Sequence, residues 1–296
     1  MFARPLCAGD TIGIASPSAL ATPERYAPVF AALEGMGYRV KPAHNLYAHG
    51  WGYAASDAER AADLNQLIHD DEVAMIFFGG GEGADDVLPL LDYEAAARHP
   101  KRWLTYSDGT SILNALHDRT GLTVYYGQAP TMIPEMSAYN LEQFRRFLTG
   151  DLPRAHLPAA PWRPLTQGAG SGELIGGYLD NFIYLCGAGW VRPRTGQRYV
   201  LFLEDHEQFF GIEHESDLLA RLESFPILAQ TSAVLFGHYS EPVSEPLLER
   251  LTRLGRRWKI PVCYCDDFGH GRHHAILPIG ACATLDADRC TLTYMS

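Results

Sequence analysis

Residues Arg102–Thr110 read R-W-L-T-Y-S-D-G-T and join an apolar run to a helical pattern. The apolar run predicts a buried strand that ends at Ser107, and the apolar face from Ile112 to Leu116 predicts a following helix. A serine on a tight turn between strand and helix holds its hydroxyl beside a helix N-terminus, which suits a nucleophile. Serine followed by aspartate is also a common helix N-cap. By itself, the segment leaves both a catalytic and a capping role open for Ser107.

Strand and helix patterns alternate on both sides of this segment. Buried-strand patterns occur at 11–15, 38–40, 73–78 and 122–126, and helical patterns occur at 23–36, 56–68, 87–91 and 141–148. Ser56 is the predicted N-cap of the second helix, with Glu59 completing a capping box. This alternation predicts an α/β fold with a parallel sheet and helices on both faces.

The alternation is interrupted between Gly150 and Gly172, where prolines and glycines accumulate. Such a composition is typical of a linker between domains. We therefore predict an N-terminal α/β domain over residues 1–150, a linker over 151–172 and a C-terminal domain over 173–296. Strands of the C-terminal domain are predicted at 173–177, 199–203, 233–236, 260–264, 281–285 and 291–294, with helices at 179–185, 214–225 and 245–254.

The composition limits the kind of partner. The 296 residues are 47% hydrophobic and carry a net charge of −11, which argues against a nucleic-acid polymer or an anionic membrane surface. No apolar run approaches the ~18 residues of a membrane span, and the first residues lack the apolar core of a signal peptide. The six cysteines have no C-x-x-C spacing and are predicted to be buried free thiols. A soluble cytoplasmic protein is the expectation.

Three polar residues occupy equivalent places in the predicted fold. Ser107, Glu204 and His270 each follow the end of an apolar strand, where open α/β sheets bind ligands. A serine nucleophile needs a base with a pKa near neutral, and the imidazole of histidine supplies one. A carboxylate on the other ring nitrogen fixes the tautomer of the imidazole. These residue types fit a hydrolytic triad, although each could separately have a structural role.

Two further clusters admit a chemical interpretation. Residues 79–83, G-G-G-E-G, follow a strand and open a helical segment, so their backbone amides are predicted to bind an anion such as the oxyanion of a tetrahedral intermediate. His270, His273, His274 and Asp267 could instead ligate a metal, although their spacing matches no zinc signature.

Taken together, seven motifs in order resemble the LD-carboxypeptidases of the serine peptidase group S66. That family includes muramoyltetrapeptide carboxypeptidases and microcin C self-immunity peptidases. The motifs are A-G-D-T-I-G-I-A-S-P-S at 8–18, D-A-E-R-A-A-D-L-N at 57–65, G-G-E-G at 80–83 with L-P-L-L-D at 88–92, Y-S-D at 106–108, G-E-L-I-G-G at 172–177, L-E-D at 203–205, and F-G-H-G at 268–271 with L-P-I-G at 277–280.

The resemblance implies a role for each motif residue. Ser107 would be the nucleophile, His270 the general base and Glu204 the acid that orients it. The backbone amides of Gly81 and Asp108 would form the oxyanion hole. The resemblance also implies a C-terminal α/β domain with a partly barrel-like sheet, an active site in the cleft between the domains, a homodimer, and neither metal nor cofactor.

Several residues around Ser107 depart from the family pattern. Gly79 stands where many members have arginine, and Glu82 replaces an aromatic residue, so a substrate carboxylate nearby is disfavoured. The remaining departures are Thr105 for glycine, Gly109 for a β-branched residue, Gln128 for proline and Tyr178 for asparagine. The predicted substrate pocket comprises Gly79, Gly80, Glu82, Tyr106 and Tyr178.

These observations predict a serine hydrolase that cleaves an amide bond through an acyl-enzyme. The first choice of substrate that the resemblance implies is the L,D bond before the terminal D-amino acid of a cytoplasmic murein peptide. The alternative is a peptide–nucleotide or another modified amide, as in the self-immunity branch of the family. A binding module without turnover and a metal-dependent hydrolase are the hypotheses from other classes.

Overall fold

The computed structural model describes residues 1–50, 53–151, 154–205, 210–238 and 244–295. Contacts between Cα atoms divide the chain into two compact units, Met1–Leu152 and Pro153–Ser296. Each unit combines helices with a β-sheet, and each is described by itself below.

The N-terminal unit is built on a parallel sheet. Its strands are β1 (Thr11–Ala15), β2 (Arg39–Pro42), the hairpin β3 (His49–Gly50) and β4 (Tyr53–Ala54), then β5 (Val73–Phe78), β6 (Arg102–Thr105) and β7 (Val124–Tyr126). Strands β7, β6, β5, β1 and β2 lie side by side in that order, each parallel to its neighbours. Large apolar side chains such as Phe77 and Trp103 are completely buried, as expected for strands covered on both faces.

Helices connect these strands. They are α1 (Pro23–Gly35), α2 (Asp57–His69), α3 (Tyr93–Arg98), α4 (Thr110–Thr120) and α5 (Ala138–Thr149), with 3₁₀ helices at Ala84–Leu90, Ser107–Gly109 and Pro130–Glu135. The helix predicted after Gly83 is therefore a 3₁₀ helix, in which Pro89 removes one backbone donor.

The order of the strands places a topological switch point between β1 and β5. After β1 the chain first builds β2 on one side and then returns through α2 to build β5 on the other. Loops at such a point diverge at the carboxyl ends of the strands and leave a crevice for a ligand. The loop after β1 and the glycine loop Gly79–Gly83 after β5 both lie there.

Polar residues of α2 form hydrogen bonds with loops of the N-terminal unit. The predicted capping box is present, because Ser56 accepts from the Glu59 amide while the Glu59 carboxylate accepts from the Ser56 amide. Buried Asp63 accepts from the backbone and side-chain nitrogens of Asn45, at 3.0 and 2.9 Å. Asn65 Nδ2 donates to Leu90 O, and Asn65 Oδ1 accepts from the amide of Asp92. The motif at 57–65 therefore acts by holding loops in place.

The C-terminal unit contains a second, mixed sheet. The strands of this unit, all of which except β13 belong to that sheet, are β8 (Arg163–Thr166), β9 (Ala169–Tyr178), β10 (Tyr199–Asp205), β11 (Thr231–His238), β12 (Val262–Cys265), β13 (Leu277–Ile279), β14 (Cys282–Asp286) and β15 (Thr291–Met295). Strands β9 to β12 run parallel in sequence order, and β8, β14 and β15 add antiparallel strands at the two ends. The predicted fold class, a parallel N-terminal sheet and a curled, half-barrel-like C-terminal sheet, is confirmed.

The helices of the C-terminal unit are α6 (Leu179–Ala188), α7 (Ile212–Leu222), α8 (Pro226–Ala229) and α9 (Glu245–Trp258). The predicted linker over 151–172 differs from the structure, because β8 and the first residues of β9 lie within it. Proline is tolerated in β8 since β8 is an edge strand, and Pro164 needs no amide there. Leu152 and Pro153, at the start of the predicted linker, lie outside the described residues.

Two predictions about composition can be compared with the structure. All six cysteines are free thiols, but Cys7 and Cys282 are exposed, so the expectation that all are buried is wrong. Within the described ranges, no helix combines the length and the apolar character needed to cross a bilayer.

Thr105 and Gly109 lie against each other on the turn from β6 to α4. A Cβ placed on Gly109 would overlap the side chain of Thr105, which is completely buried. The family pattern that the sequence resembles has glycine at 105 and a β-branched residue at 109. The two departures are therefore one exchange of side-chain volume between neighbouring positions.

We expect this exchange to be visible in a double-mutant cycle. Gly109→Thr overpacks the turn and Thr105→Gly leaves a void, each costing on the order of 1–3 kcal/mol of unfolding free energy. The double variant restores the packed volume, so it should be more stable than the sum of the two single effects by at least about 1 kcal/mol. Chemical denaturation of the four proteins measures this coupling.

The pair Thr105→Gly and Gly79→Ala is the matched control. A Cβ on Gly79 approaches only Ala129, at 4.0 Å, so these two changes should be additive. Additivity of Thr105→Gly with Gly109→Thr would contradict the proposed exchange of volume.

Candidate active site

Ser107 begins the turn between β6 and α4 in an unusual backbone conformation. Its φ is +57°, a left-handed value that costs a non-glycine residue about 1–2 kcal/mol. Gly109 is the N-cap of α4, and no side chain caps this end of the helix. The capping role considered for Ser107 is therefore wrong. Strain of this kind is concentrated at functional sites.

Hydrogen bonds to two neighbouring segments help to hold the turn. The backbone amide of Ser107 donates to the hydroxyl of Tyr126, at 3.0 Å, and Tyr126 is completely buried at the end of β7. The buried carboxylate of Asp108 accepts from the amide of Ala84, at 2.8 Å, and so ties the turn to the end of the glycine loop. The Asp108 amide follows the Ser107 amide along the turn.

The glycine loop approaches Ser107 more closely than a side chain would allow. A Cβ on Gly80 would stand 2.5 Å from Ser107 Cβ and 3.1 Å from its Oγ. Gly81 has φ +151°, and a Cβ there would lie 2.7 Å from the amide nitrogen of Ala19. Gly80 therefore lies directly against the Ser107 side chain, and Gly81 lies against the loop after β1. Gly79 is under no such constraint, since its Cβ would meet only ordinary van der Waals contact.

Glu204 and His270 are paired in the C-terminal unit. His270 Nδ1 donates to Glu204 Oε2 across 2.9 Å, and the Glu204 side chain is completely buried at the end of β10. A carboxylate only accepts, so it places the proton on Nδ1 and leaves Nε2 as the basic nitrogen. Gly269, with φ +100°, lets the loop pass the carboxylate, because a Cβ there would lie 2.8 Å from Glu204 Oε2.

Electrostatics favour the protonated imidazole of His270. Burial lowers the pKa of His270, but the charge of Glu204, its hydrogen bond and the charge of Asp205 together raise that pKa above its ordinary value. Tyr178 packs edge-on against the imidazole, with ring centroids 5.2 Å apart. Burial and then the charges of Asp205 and Glu204 raise the pKa of Tyr178, so its hydroxyl stays protonated.

Asp267 fixes the loop that carries His270. Its completely buried carboxylate accepts from His156 Nε2 at 2.8 Å and from Trp162 Nε1 at 2.7 Å. The amides of Ala159 and Ala160 add two more donors, at 3.0 and 3.1 Å. A carboxylate so occupied serves the fold, and nothing in the pattern of the sequence points to its partners, which lie more than 100 residues away.

The alternative of a metal centre at Asp267 and the nearby histidines is not supported. Across the part of the chain that the structure describes, no three His, Cys, Asp or Glu side chains form a group that could hold a metal ion. Asp267 is instead surrounded by donors, as an anion in a structural role requires.

The remaining predicted pocket residues lie around these two clusters. Tyr106 precedes Ser107 and is half-buried, and Glu82 is exposed in the glycine loop, with its amide directed to Ser18 O at 3.4 Å. Gln128 is completely buried and donates to Asn140 O at 2.9 Å, so that departure from the family pattern has a structural reason. The contact of Tyr126 with Ser107 is not predictable from the sequence, because a buried tyrosine at a strand end forms no catalytic pattern.

The predicted site residues thus fall into two groups. Within the N-terminal unit the structure brings together Ser107, Asp108, Gly80 and Gly81. Within the C-terminal unit it brings together Glu204, His270 and Tyr178.

Comparisons with curated proteins find relatives along nearly the whole chain. A putative carboxypeptidase of Vibrio cholerae is 27% identical over 98% of this chain and 96% of its own length. The microcin C7 self-immunity protein MccF of Escherichia coli is 26% identical over 97% and 94%. A probable murein peptide carboxypeptidase of Bacillus subtilis is 28% identical over 68% and 63%.

Solved structures share the fold. An MccF-like protein from Bacillus anthracis superposes with a TM-score of 0.91 over 100% of this chain and 99% of its own, at 22% identity. MccF in complex with glutamyl sulfamoyl guanosine gives a TM-score of 0.84 over 99% and 98%, at 25% identity.

Family models match both parts of the chain. The LD-carboxypeptidase N-terminal domain matches residues 12–127, and the LD-carboxypeptidase C-terminal domain matches residues 171–285. These segments include every residue of the two clusters described above. The chain therefore belongs to the LD-carboxypeptidase family of peptidases, S66.

Proposed function

We propose that this protein is a serine hydrolase that cleaves the L,D amide bond before the terminal D-amino acid of a murein peptide. Ser107 is the nucleophile, His270 the general base and Glu204 the acid that orients it. The observation that carries the proposal is the 2.9 Å hydrogen bond from His270 to buried Glu204, which leaves Nε2 as a base. The backbone strain at Ser107 supports the choice of nucleophile.

Acylation follows from these roles. Ser107 Oγ attacks the amide carbonyl carbon while its proton passes to His270 Nε2, and the carbonyl oxygen becomes an oxyanion. The amides of Gly81 and Asp108 donate to that oxyanion, where each donor contributes a factor of about 10²–10³ in rate. The tetrahedral carbon then expels the amine, which takes the proton from His270 and leaves an ester on Ser107.

Deacylation repeats these steps with water as the nucleophile. His270 Nε2 accepts a proton from water as the water oxygen attacks the ester carbon. The oxyanion reforms against the same two amides, and its collapse releases the carboxylic acid and returns the proton to Ser107. Glu204 keeps its charge throughout and stabilises the imidazolium.

A second candidate is cleavage of a peptide–nucleotide or another modified amide. It is favoured by Glu82, an exposed charge in the glycine loop beside Ser107 that disfavours a substrate carboxylate. The relative named a probable murein peptide carboxypeptidase supports the first candidate. The relative named a microcin C7 self-immunity protein supports the second. The proposal also includes a cytoplasmic homodimer.

The nucleophile is tested by covalent labelling. A fluorophosphonate should modify wild-type protein with displacement of fluoride, and Ser107→Ala should abolish the labelling, as read by intact-protein mass. Ser111→Ala is the matched control, since Ser111 lies on α4 just beyond the same turn and should leave labelling unchanged. Undiminished labelling of Ser107→Ala would place the nucleophile elsewhere.

The base is tested by the pH dependence of that labelling rate. Neutral His270 is the active form, so the wild-type rate should rise with pH, with a midpoint above the ordinary histidine pKa of about 6.5. Glu204→Gln removes the charge that raises this pKa. The midpoint should therefore move to lower pH while the limiting rate falls by about 10²- to 10⁴-fold.

Glu245→Gln controls for loss of one negative charge, because Glu245 is an exposed residue of the same unit. Its profile should coincide with that of the wild type. A Glu204→Gln profile that also coincided with the wild type would refute the role of Glu204.

The substrate is tested by the products. Wild-type protein should release D-alanine from a murein tetrapeptide, and Glu82→Gln should increase kcat/KM for that peptide. At a separation on the order of 10 Å, one charge contributes about 0.4–1.7 kcal/mol, or about 2- to 20-fold. The same peptide with a C-terminal carboxamide should show no such gain, and neither should Glu94→Gln, an exposed residue of the same unit.

Aspartyl sulfamoyl adenosine is the competing substrate in this assay. Its cleavage without release of D-alanine from the tetrapeptide would favour the second candidate.

A further inference from the structure

Arg60 is a buried arginine of α2 that bonds two separate loops. Its Nη1 donates to Pro17 O at 2.5 Å and to Gly83 O at 2.6 Å. Its Nη2 bonds Asp86 Oδ2 at 3.2 Å, and only 3% of Arg60 is exposed. One nitrogen with two hydrogens thus joins the loop after β1 to the loop after β5.

The two carbonyls that Arg60 contacts belong to segments next to Gly81, that of Gly83 in the sequence and that of Pro17 in space. Gly83 is two residues beyond Gly81, and Pro17 immediately precedes Ser18 and Ala19, the residues against which Gly81 packs. A Cβ on Gly81 would lie 2.7 Å from Ser18 C and from Ala19 N. The amide of Glu82 also donates to Ser18 O, at 3.4 Å. Arg60 therefore holds in place the two loop segments on either side of Gly81.

We propose that Arg60 is a positioning residue for the reaction, which sets the direction of the Gly81 amide toward the oxyanion. The inference rests on the proposed function, since it requires Ser107 to be the nucleophile and Gly81 to be an oxyanion donor. Arg60 contacts these loops through their backbone carbonyls, so it takes no part in proton transfer.

The energetics of an oxyanion hole make this position sensitive. A backbone donor stabilises the transition state only when it points at the developing charge, and loss of one donor costs about 10²–10³ in rate. A displacement of about 1 Å is enough to cost on the order of 100-fold. We therefore expect loss of Arg60 to reduce the rate of attack by about 10- to 100-fold.

Arginine is suited to this task by its shape. The guanidinium is planar and presents its donors in a fixed fork, whereas the ammonium of lysine is a compact charge on a flexible stem. Lysine at position 60 can keep one carbonyl contact but cannot reproduce the shared Nη1 geometry with the additional bond to Asp86. Arg60→Lys should therefore give a smaller loss of rate than Arg60→Ala.

The test uses fluorophosphonate labelling of the full chain, because phosphonylation of Ser107 also develops charge on an oxygen in the oxyanion hole. The maximal inactivation rate kinact and the binding constant KI are measured separately for wild type, Arg60→Ala and Arg60→Lys. We expect kinact to fall by about 10- to 100-fold for Arg60→Ala and less for Arg60→Lys, with KI unchanged. A structural loss alone would lower the fraction of protein that is labelled, not kinact of the folded molecules.

Arg102 provides the matched control. It is equally buried in the same unit and also donates to backbone carbonyls, those of Arg4 and Phe147, but it lies at the amino end of β6, away from Ser107. Arg102→Lys should lower the melting temperature while leaving kinact within about twofold of the wild type.

The outcomes separate this inference from the proposed function. The role of Arg60 would be overturned if Arg60→Lys and the folded fraction of Arg60→Ala both showed the wild-type kinact. In that case, loss of labelling in Ser107→Ala would still support Ser107 as the nucleophile. Labelling that persists in Ser107→Ala would overturn both. A fall in kinact of the same size in Arg102→Lys would also overturn the role of Arg60, because the effect would then follow from any buried arginine.

Discussion

The left-handed conformation of Ser107 is the constraint around which the N-terminal unit is built. Such a conformation costs about 1–2 kcal/mol, whereas a hydrogen bond contributes about 0.5–1.5 kcal/mol, and one to a charged group about 1.5–3 kcal/mol. The bond to Tyr126 and the bond of Asp108 to Ala84 together exceed the cost. Because the turn is fixed in this way, Gly80 must lack a side chain and only one of positions 105 and 109 can carry bulk.

The C-terminal unit solves a different problem, which is how to bury carboxylates, and Glu204 and Asp267 show two solutions. Glu204 and Asp267 are both completely buried, and an unpaired charge in that environment would be strongly unfavourable. Asp267 is compensated by four donors from 156–162, which fixes the loop three residues before His270. Glu204 receives the Nδ1 hydrogen of His270. Asp267 therefore holds in place the loop that carries His270, and Glu204 depends on that loop for its hydrogen bond.

Local signals in the sequence predicted the elements well, and long-range polar contacts escaped them. The strand Val73–Phe78 and the capping box at Ser56 follow from hydrophobic run and spacing, which are properties of neighbouring residues. The partners of Arg60 and Asp267 are mostly backbone groups of distant segments, and such contacts leave no spacing pattern. The prolines of β8 predict a linker, but an edge strand tolerates prolines that would interrupt the interior of a sheet.

The glycine loop contains two kinds of position, those that the proposed chemistry requires and those that can vary with the substrate. Gly80 and Gly81 are dictated by close approach to Ser107 and to Ala19, so any side chain there would displace the backbone that the oxyanion needs. Gly79 and Glu82 are under no such constraint, because one has room for a Cβ and the other is exposed. Departures from the family pattern at these two positions change the charge beside Ser107 without moving its backbone. In the proposed reaction, the chemistry would therefore depend on main-chain geometry, and the choice of substrate would depend on the side chains that this geometry leaves variable.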